Sequence, residues 1–321
     1  MVALVVVLSL VVVAALGGGG WFLWQRTTGG ATAQAGDPST LEVLGKGTLN
    51  ETDVRGVDAT ALFYASFKKL VTQPVLHTTQ ESYTEKDEYD NNEPGYRWES
   101  GFDYKTKEWQ MLWGSADADS PLMLCLKGGS HDYSPSLKRW YDPRPTDSFC
   151  QQKRAWNYVS DGLAAGGLTE AQADTWVKDL QSEQKGFVNP GEARLAEVKG
   201  KQYLRLVVDY KPVKQSDGIY YGGQMLMWSF KKTGLDPESH PYSYNGGLGT
   251  GYHVVYYIDP RSMLPAYTEV EQTPPLDRNG KPREPDFYKV RVEYHWPGKM
   301  PGLKPSGKPT WPKLTWPRDG A

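Results

Sequence analysis

The hydrophobic pattern changes character along the chain. Val2 to Trp24 is one apolar run broken only by Ser9. At ~1.5 Å rise per residue a helix of that length reaches roughly 34 Å, enough for a hydrocarbon core of ~30 Å. A helix apolar on every side is not a globular amphipathic one, so residues 1–24 are expected to be a transmembrane anchor or a signal segment. The length of the run and the interfacial aromatics Trp21, Phe22 and Trp24 favour the anchor. Ala31-Thr32-Ala33 is the site that cleavage would use. No cysteine follows the run for lipid attachment. Residues 25–56, rich in Gly, Thr and Ala and without helical or strand period, are expected to form a flexible stalk.

From Val57 the pattern turns helical. Asp58 is a candidate cap, and Leu62, Phe63, Phe67, Leu70 and Val71 share one face before Pro74 stops the helix. From Val75 the period becomes two. Tyr96, Trp98, Ser100 and Phe102 alternate with Arg97, Glu99, Gly101 and Asp103, after a turn over Thr84–Gly95. Further strands are expected at Glu108–Gly114 and Leu122–Lys127. A helical interlude follows, over Ala155–Leu163 and then from Thr169, whose capping box with Gln172 precedes the stripe Ala173, Trp176, Val177 and Leu180. The remaining expected strands are the hairpin Glu197-Val198 and Lys201–Tyr210 about Lys199-Gly200, then Met225–Phe230, Tyr252–Ile258, Ala266–Gln272 and Phe287–Trp296. Residues 298–321 carry a Pro every few positions with Lys and Trp between, and read as a Pro-rich tail. Residues 57–297 are thus the folded domain.

Composition adds less. A formal net charge of −2 gives no long-range attraction for nucleic acid, and no such partner is expected. The chain has two cysteines, Cys125 and Cys150, an even count suited to one disulfide in an oxidising compartment; two buried thiols are the alternative. Arg26 after the apolar run would, by the positive-inside rule alone, put the domain in the cytoplasm. The cysteine pair and the strand-rich, aromatic character point the other way. The domain is expected outside the cytoplasm, with a basic flank upstream of Met1.

No motif for chemistry stands out. The five His have neither HxxxH nor HExxH spacing, two distant cysteines cannot supply paired zinc ligands, and no GxSxG elbow occurs. Ser130-His131-Asp132 reads as a loop. The acidic run Glu85, Asp87, Glu88, Asp90 and Glu93 reads as a solvated turn, lacking the ligand order and central Gly of a calcium loop. Gly246-Gly247-Leu248-Gly249-Thr250-Gly251 runs into a strand and not a helix, so it is expected to be a hairpin loop or a rim loop over a cavity, not a phosphate cradle. Paired carboxylates brought from separate strands would leave no local trace. No catalytic residue, metal or cofactor is expected. What remains is the aromatic inventory, 12 Trp and 20 Tyr, most of it ordinary core. A sheet this long with few helices has apolar face to spare, and the surplus could line a cavity.

The order of elements, an amphipathic helix leading into antiparallel strands, a mid-chain helical insert and a closing hairpin at Tyr257-Ile258-Asp259-Pro260 to Leu264-Pro265-Ala266, resembles the envelope lipid-carrier fold of the LolA, LppX and LprG proteins. The chain departs from it in lacking a lipobox Cys and in extra length around Cys125 to Cys150, Gly218 and Tyr244. The resemblance implies an α+β fold, a curved, half-barrel-like antiparallel sheet with helices on one face. It implies a non-enzymatic, membrane-tethered envelope domain, actinobacterial by its Ala, Gly, Pro and Trp usage, that binds a lipid or other hydrophobic ligand. The candidate cavity residues are then Trp98, Phe102, Leu204, Leu206, Val208, Tyr210, Tyr288, Val290, Val292 and Tyr294. The alternatives are a protein-interaction or sensor domain of the envelope, or cell-wall polysaccharide binding.

Overall fold

The computed structural model describes residues 39–42, 44, 48–115, 122–126, 129–134, 136–141, 163–236, 240, 248–284 and 287–300. The expected anchor, all but the first three residues of the Pro-rich tail, Cys150 and all but the last residue of the helix expected over Ala155–Leu163 lie outside them. Among the described residues no helix is long and apolar enough to cross a membrane.

The fold is α+β: one open antiparallel sheet with few helices. The strands are β1 (Val75–Tyr83), β2 (Tyr96–Asp103), β3 (Trp109–Ser115), β4 (Leu122–Leu126), β5 (Gly129–Ser134), β6 (Arg139–Trp140), β7 (Val188–Val198), β8 (Lys201–Tyr210), β9 (Val213–Lys214), β10 (Tyr220–Tyr221), β11 (Tyr252–Ile258), β12 (Pro265–Gln272) and β13 (Lys289–Tyr294). Eleven of them form one sheet in the order β6-β5-β4-β3-β2-β1-β13-β12-β11-β8-β7, and β9 pairs with β10 separately. Two meanders therefore meet at a single seam, where β1 runs antiparallel to β13 from Thr78↔Tyr294 to Tyr83↔Lys289. The free edges are β6, only two residues long, and β7, which is interrupted at Pro190 by a register shift. Both are devices that discourage edge-to-edge association.

The helices are α1 (Ser39–Glu42), α2 (Glu51–Arg55), α3 (Ala59–Val71), α4 (Lys86–Asn91), α5 (Glu170–Ser182) and α6 (Gln224–Lys231). Asp58 caps α3 by accepting from the Thr60 and Ala61 amides, and Thr169 and Gln172 form the capping box of α5. Helices α3, α5 and α6 share one core with the even-numbered residues of β11 and β13. Phe67 and Phe230 each meet the Trp176 ring edge-on at 5.0 Å. The tight turn at Lys199-Gly200 has both residues at positive φ, the geometry that matches strand twist in a two-residue hairpin.

Four sequence readings are corrected. Met225–Phe230 is not a strand but most of α6. Met225, Leu226, Ser229 and Phe230 are its buried residues, a helical spacing in a run too short to show its period. Part of the expected stalk belongs to the core: Leu44, Leu49 and Val54 are buried, Asn50 and Asp53 make a capping box for α2, and the Leu49 backbone is bracketed by the Gln202 side chain. Ser130-His131-Asp132 lies in β5, paired along β4. The Thr84–Gly95 turn contains α4, which docks on the sheet face opposite the other helices, so the helices are not all on one face.

Candidate functional site

Strand alternation separates the two faces of the seam. On one face, Arg291 of β13 is the centre of a polar clamp. Its Nε donates to Glu269 Oε2 at 2.9 Å and its Nη1 to Asn92 Oδ1 at 2.8 Å, while its guanidinium lies over the Tyr83 and Tyr89 rings at 5.3 and 4.5 Å. Arg97 Nε pairs with Glu81 Oε1 at 3.1 Å, and Lys289 Nζ with Glu271 Oε2 at 3.0 Å. Burial pushes the Glu81 carboxyl up, against the pull of Arg97. Each charge has a partner and α4 covers part of the network through Tyr89, whose hydroxyl donates to Glu269 at 2.9 Å. This face is a structural lock.

The helix-facing side holds the residues expected to line a cavity. Phe102, Leu204, Leu206, Val208, Tyr210, Val290, Val292 and Tyr294 are buried, and Trp98 and Tyr288 are half-buried against the same cluster. The β8 set is buried in the main core. Phe63 of α3 meets Tyr210 and Tyr256 edge-on, and the Tyr210 and Tyr256 hydroxyls hydrogen-bond at 2.7 Å. Burial holds the Tyr256 hydroxyl well above its ordinary range.

Over the seam the same face changes character. Thr78, Gln80 and Ser82 of β1, Ser100 of β2 and Thr268 of β12 are all buried there, among Val290, Val292 and Trp98. They are neighbours by register: Gln80 lies opposite both Trp98 and Val292, Val292 opposite Thr268, and Thr78 opposite Ser100. Gln80 Nε2 donates to Thr78 Oγ1 at 3.0 Å, but Ser82 Oγ, Ser100 Oγ and Thr268 Oγ1 have no hydrogen-bond partner among the described residues. A buried hydroxyl without a partner costs about 1–3 kcal/mol, so three in one patch are a departure from core packing. The alternation Tyr96, Trp98, Ser100, Phe102 located this face in the sequence; Ser82 and Thr268 carry no local signal.

A cavity of ≈ 470 Å³ lies beyond the sheet, where β11 begins and β12 ends. Leu248 and Thr250 form one wall, from the glycine cluster expected to make a rim loop. The hairpin from Pro275 to Glu284 forms another, and Ile219 and Tyr220 a third. The walls are tied by backbone hydrogen bonds, Leu276 N to Gly249 O at 3.1 Å and Thr273 N to Gly251 O at 3.0 Å. Gly249 has φ +73°, and a Cβ there would lie 2.5 Å from the Leu276 carbonyl, so this wall requires glycine. None of the ten expected residues lines the cavity. Among the described residues no group of three or more His, Cys, Asp or Glu side chains is placed to hold a metal.

Comparison with known proteins gives no family. No protein-family model matches the chain, and no curated protein matches it. Among solved structures, it is similar to the Mycobacterium tuberculosis lipoprotein LppX, with TM-score 0.36 and 8% identity over 74% of this chain and 93% of that one. It is also similar to MucB in its complex with MucA(peri), with TM-score 0.29 and 10% identity over 76% of this chain and 57% of that one. Likeness at these scores carries no functional residue across.

Proposed function

We propose that this chain is a non-enzymatic, membrane-tethered domain of the cell envelope, outside the cytoplasm, that binds a lipid or other hydrophobic ligand against the seam of its sheet. The reading is supported above all by the buried hydroxyls of Ser82, Ser100 and Thr268. They offer hydrogen bonds in the middle of an apolar face and receive none from the described residues. Ligand sites are built this way, mostly apolar with a few placed polar groups that fix orientation. These hydroxyls lie on the half of the face formed by β12, β13, β1 and β2, which is therefore the proposed ligand site.

A protein-docking reading would draw on a contiguous exposed apolar patch. The exposed large apolar residues that are described, Tyr96, Leu137, Tyr141 and Leu248, lie in β2, around β6 and in the rim loop, not along one face.

Thr268→Val keeps the side-chain shape and deletes the hydroxyl. Native mass spectrometry of the full chain released from lipid nanodiscs should show lower occupancy by co-purified lipid, equivalent to about a fivefold loss in affinity for one neutral hydrogen bond. Occupancy equal to that of the native protein would count against the seam as the site.

A further inference from the structure

We infer that the loop cavity beyond β12 is a second binding site, for a small amphiphile carrying one phosphate or carboxylate group on an apolar body. The inference does not rest on the sheet face. Its apolar surface is Ile219, Leu248, Pro275 and Leu276 beside the Tyr220 ring, and its volume of ≈ 470 Å³ is that of a pocket for a small molecule.

The anionic end follows from the charges of the hairpin. Of the charged residues lining the cavity, Arg278 and Arg283 are set against Asp277 and Glu284. Asp277 is already engaged. Its Oδ1 accepts from the Asn279 and Lys281 amides at 2.8 and 2.9 Å, and those bonds, the Lys281 one foremost, hold the carboxyl below its usual range. Asp217, near Arg278, likewise accepts from the Ile219 amide and the Tyr221 hydroxyl. The guanidiniums of Arg278 and Arg283 make no side-chain hydrogen bond among the described residues. Two planar forks with no side-chain hydrogen bond among the described residues, Arg278 near Asp217 and Arg283 near Asp277, beside an apolar shelf suit a carboxylate or phosphate better than any neutral head group. Glu284, on the same rim, sets the limit: it repels a second negative group and so favours a ligand with a single anion.

The probes are 2-naphthyl phosphate, 2-naphthol and inorganic phosphate, titrated calorimetrically into the full chain in nanodiscs. Saturable binding of 2-naphthyl phosphate is expected, with the other two probes about tenfold weaker or worse. Arg278→Gln with Arg283→Gln, both at exposed positions, should weaken the aryl phosphate about tenfold, and Glu284→Gln should tighten it severalfold. Lipid occupancy by native mass spectrometry should be unchanged in the Arg double variant, which separates this site from the seam. The inference is overturned if the aryl phosphate does not bind saturably, if the double variant binds it as the native protein does, or if 2-naphthol binds as well. Equal binding of inorganic phosphate would equally overturn it, leaving a site for a free anion.

Discussion

Arg291 shows how one side chain can hold two layers together. It joins β13 to β12 through Glu269 and to α4 through Asn92 and the Tyr89 ring, in a partly buried setting where its charge is compensated. Arg291→Met would leave the Glu269 carboxylate with the Tyr89 hydroxyl as its one hydrogen-bond donor among the described residues and should cost about 3 kcal/mol in chemical denaturation. Lysine, a point charge without the planar fork, should recover little of the loss. Two histidines respond to pH in a defined sense. Burial holds His240 below its ordinary value, and burial together with His77, its ring 4.4 Å away, does the same to His295. The unfolded chain therefore takes up these protons at higher pH than the folded one. Stability is full above about pH 6.5 and falls as the pH drops below it. The melting temperature should decline between pH 7 and 5.5, and His295→Gln should flatten that decline. The substitution also separates His295 from Glu81, whose raised pKa acts in the opposite sense.

At the scale of elements, the readable parts were those where one side chain pattern met one environment. Strand β8 alternates cleanly because one face is core, and the capping residues Asp58 and Thr169 announced α3 and α5 before any packing was known. Helix α6 escaped because Met-Leu-Met-Trp fits a buried strand as well as a helix, and only packing against α5 decides. That packing is centred on Asp179, which accepts from Ser229 Oγ at 2.5 Å and from Gln184 Nε2 at 3.3 Å. Ser229→Ala should cost about 2 kcal/mol, the range for a hydrogen bond to a charged group, and be measurable as a shifted urea midpoint without a change in slope. The candidate site was legible only in outline. Trp98 and Phe102 gave the face, whereas the seam hydroxyls of Ser82 and Thr268 come together from residues nearly 190 apart in the chain, which no window of the sequence contains. Strand β5 was missed for a related reason: Gly-Ser-His-Asp-Tyr-Ser has no strand pattern of its own and is ordered by pairing with β4.

For the whole molecule, the folded unit begins earlier than the change of pattern at Val57. Leu44, Leu49 and Val54 are buried in the main cluster, so a chain beginning at Val57 should lose on the order of 5 kcal/mol relative to one beginning at Ser39, from three apolar side chains returned to water. Cys125 is buried in a chain with two cysteines. Non-reducing peptide mapping should find it joined to Cys150, and replacing both by Ser should cost roughly 3 kcal/mol, loosening the intervening segment before the sheet. The seam is proposed to hold a hydrophobic ligand. The most direct test is photo-crosslinking of the full chain in membranes with a diazirine-bearing fatty acid, the adducts being mapped by peptide sequencing. Labelling is expected to concentrate in β12, β13, β1 and β2, at the helix-facing positions around Gln80, Ser100 and Thr268, and to be competed by excess unlabelled fatty acid. Labelling confined to Val2–Trp24, with none competed from the sheet, would contradict it.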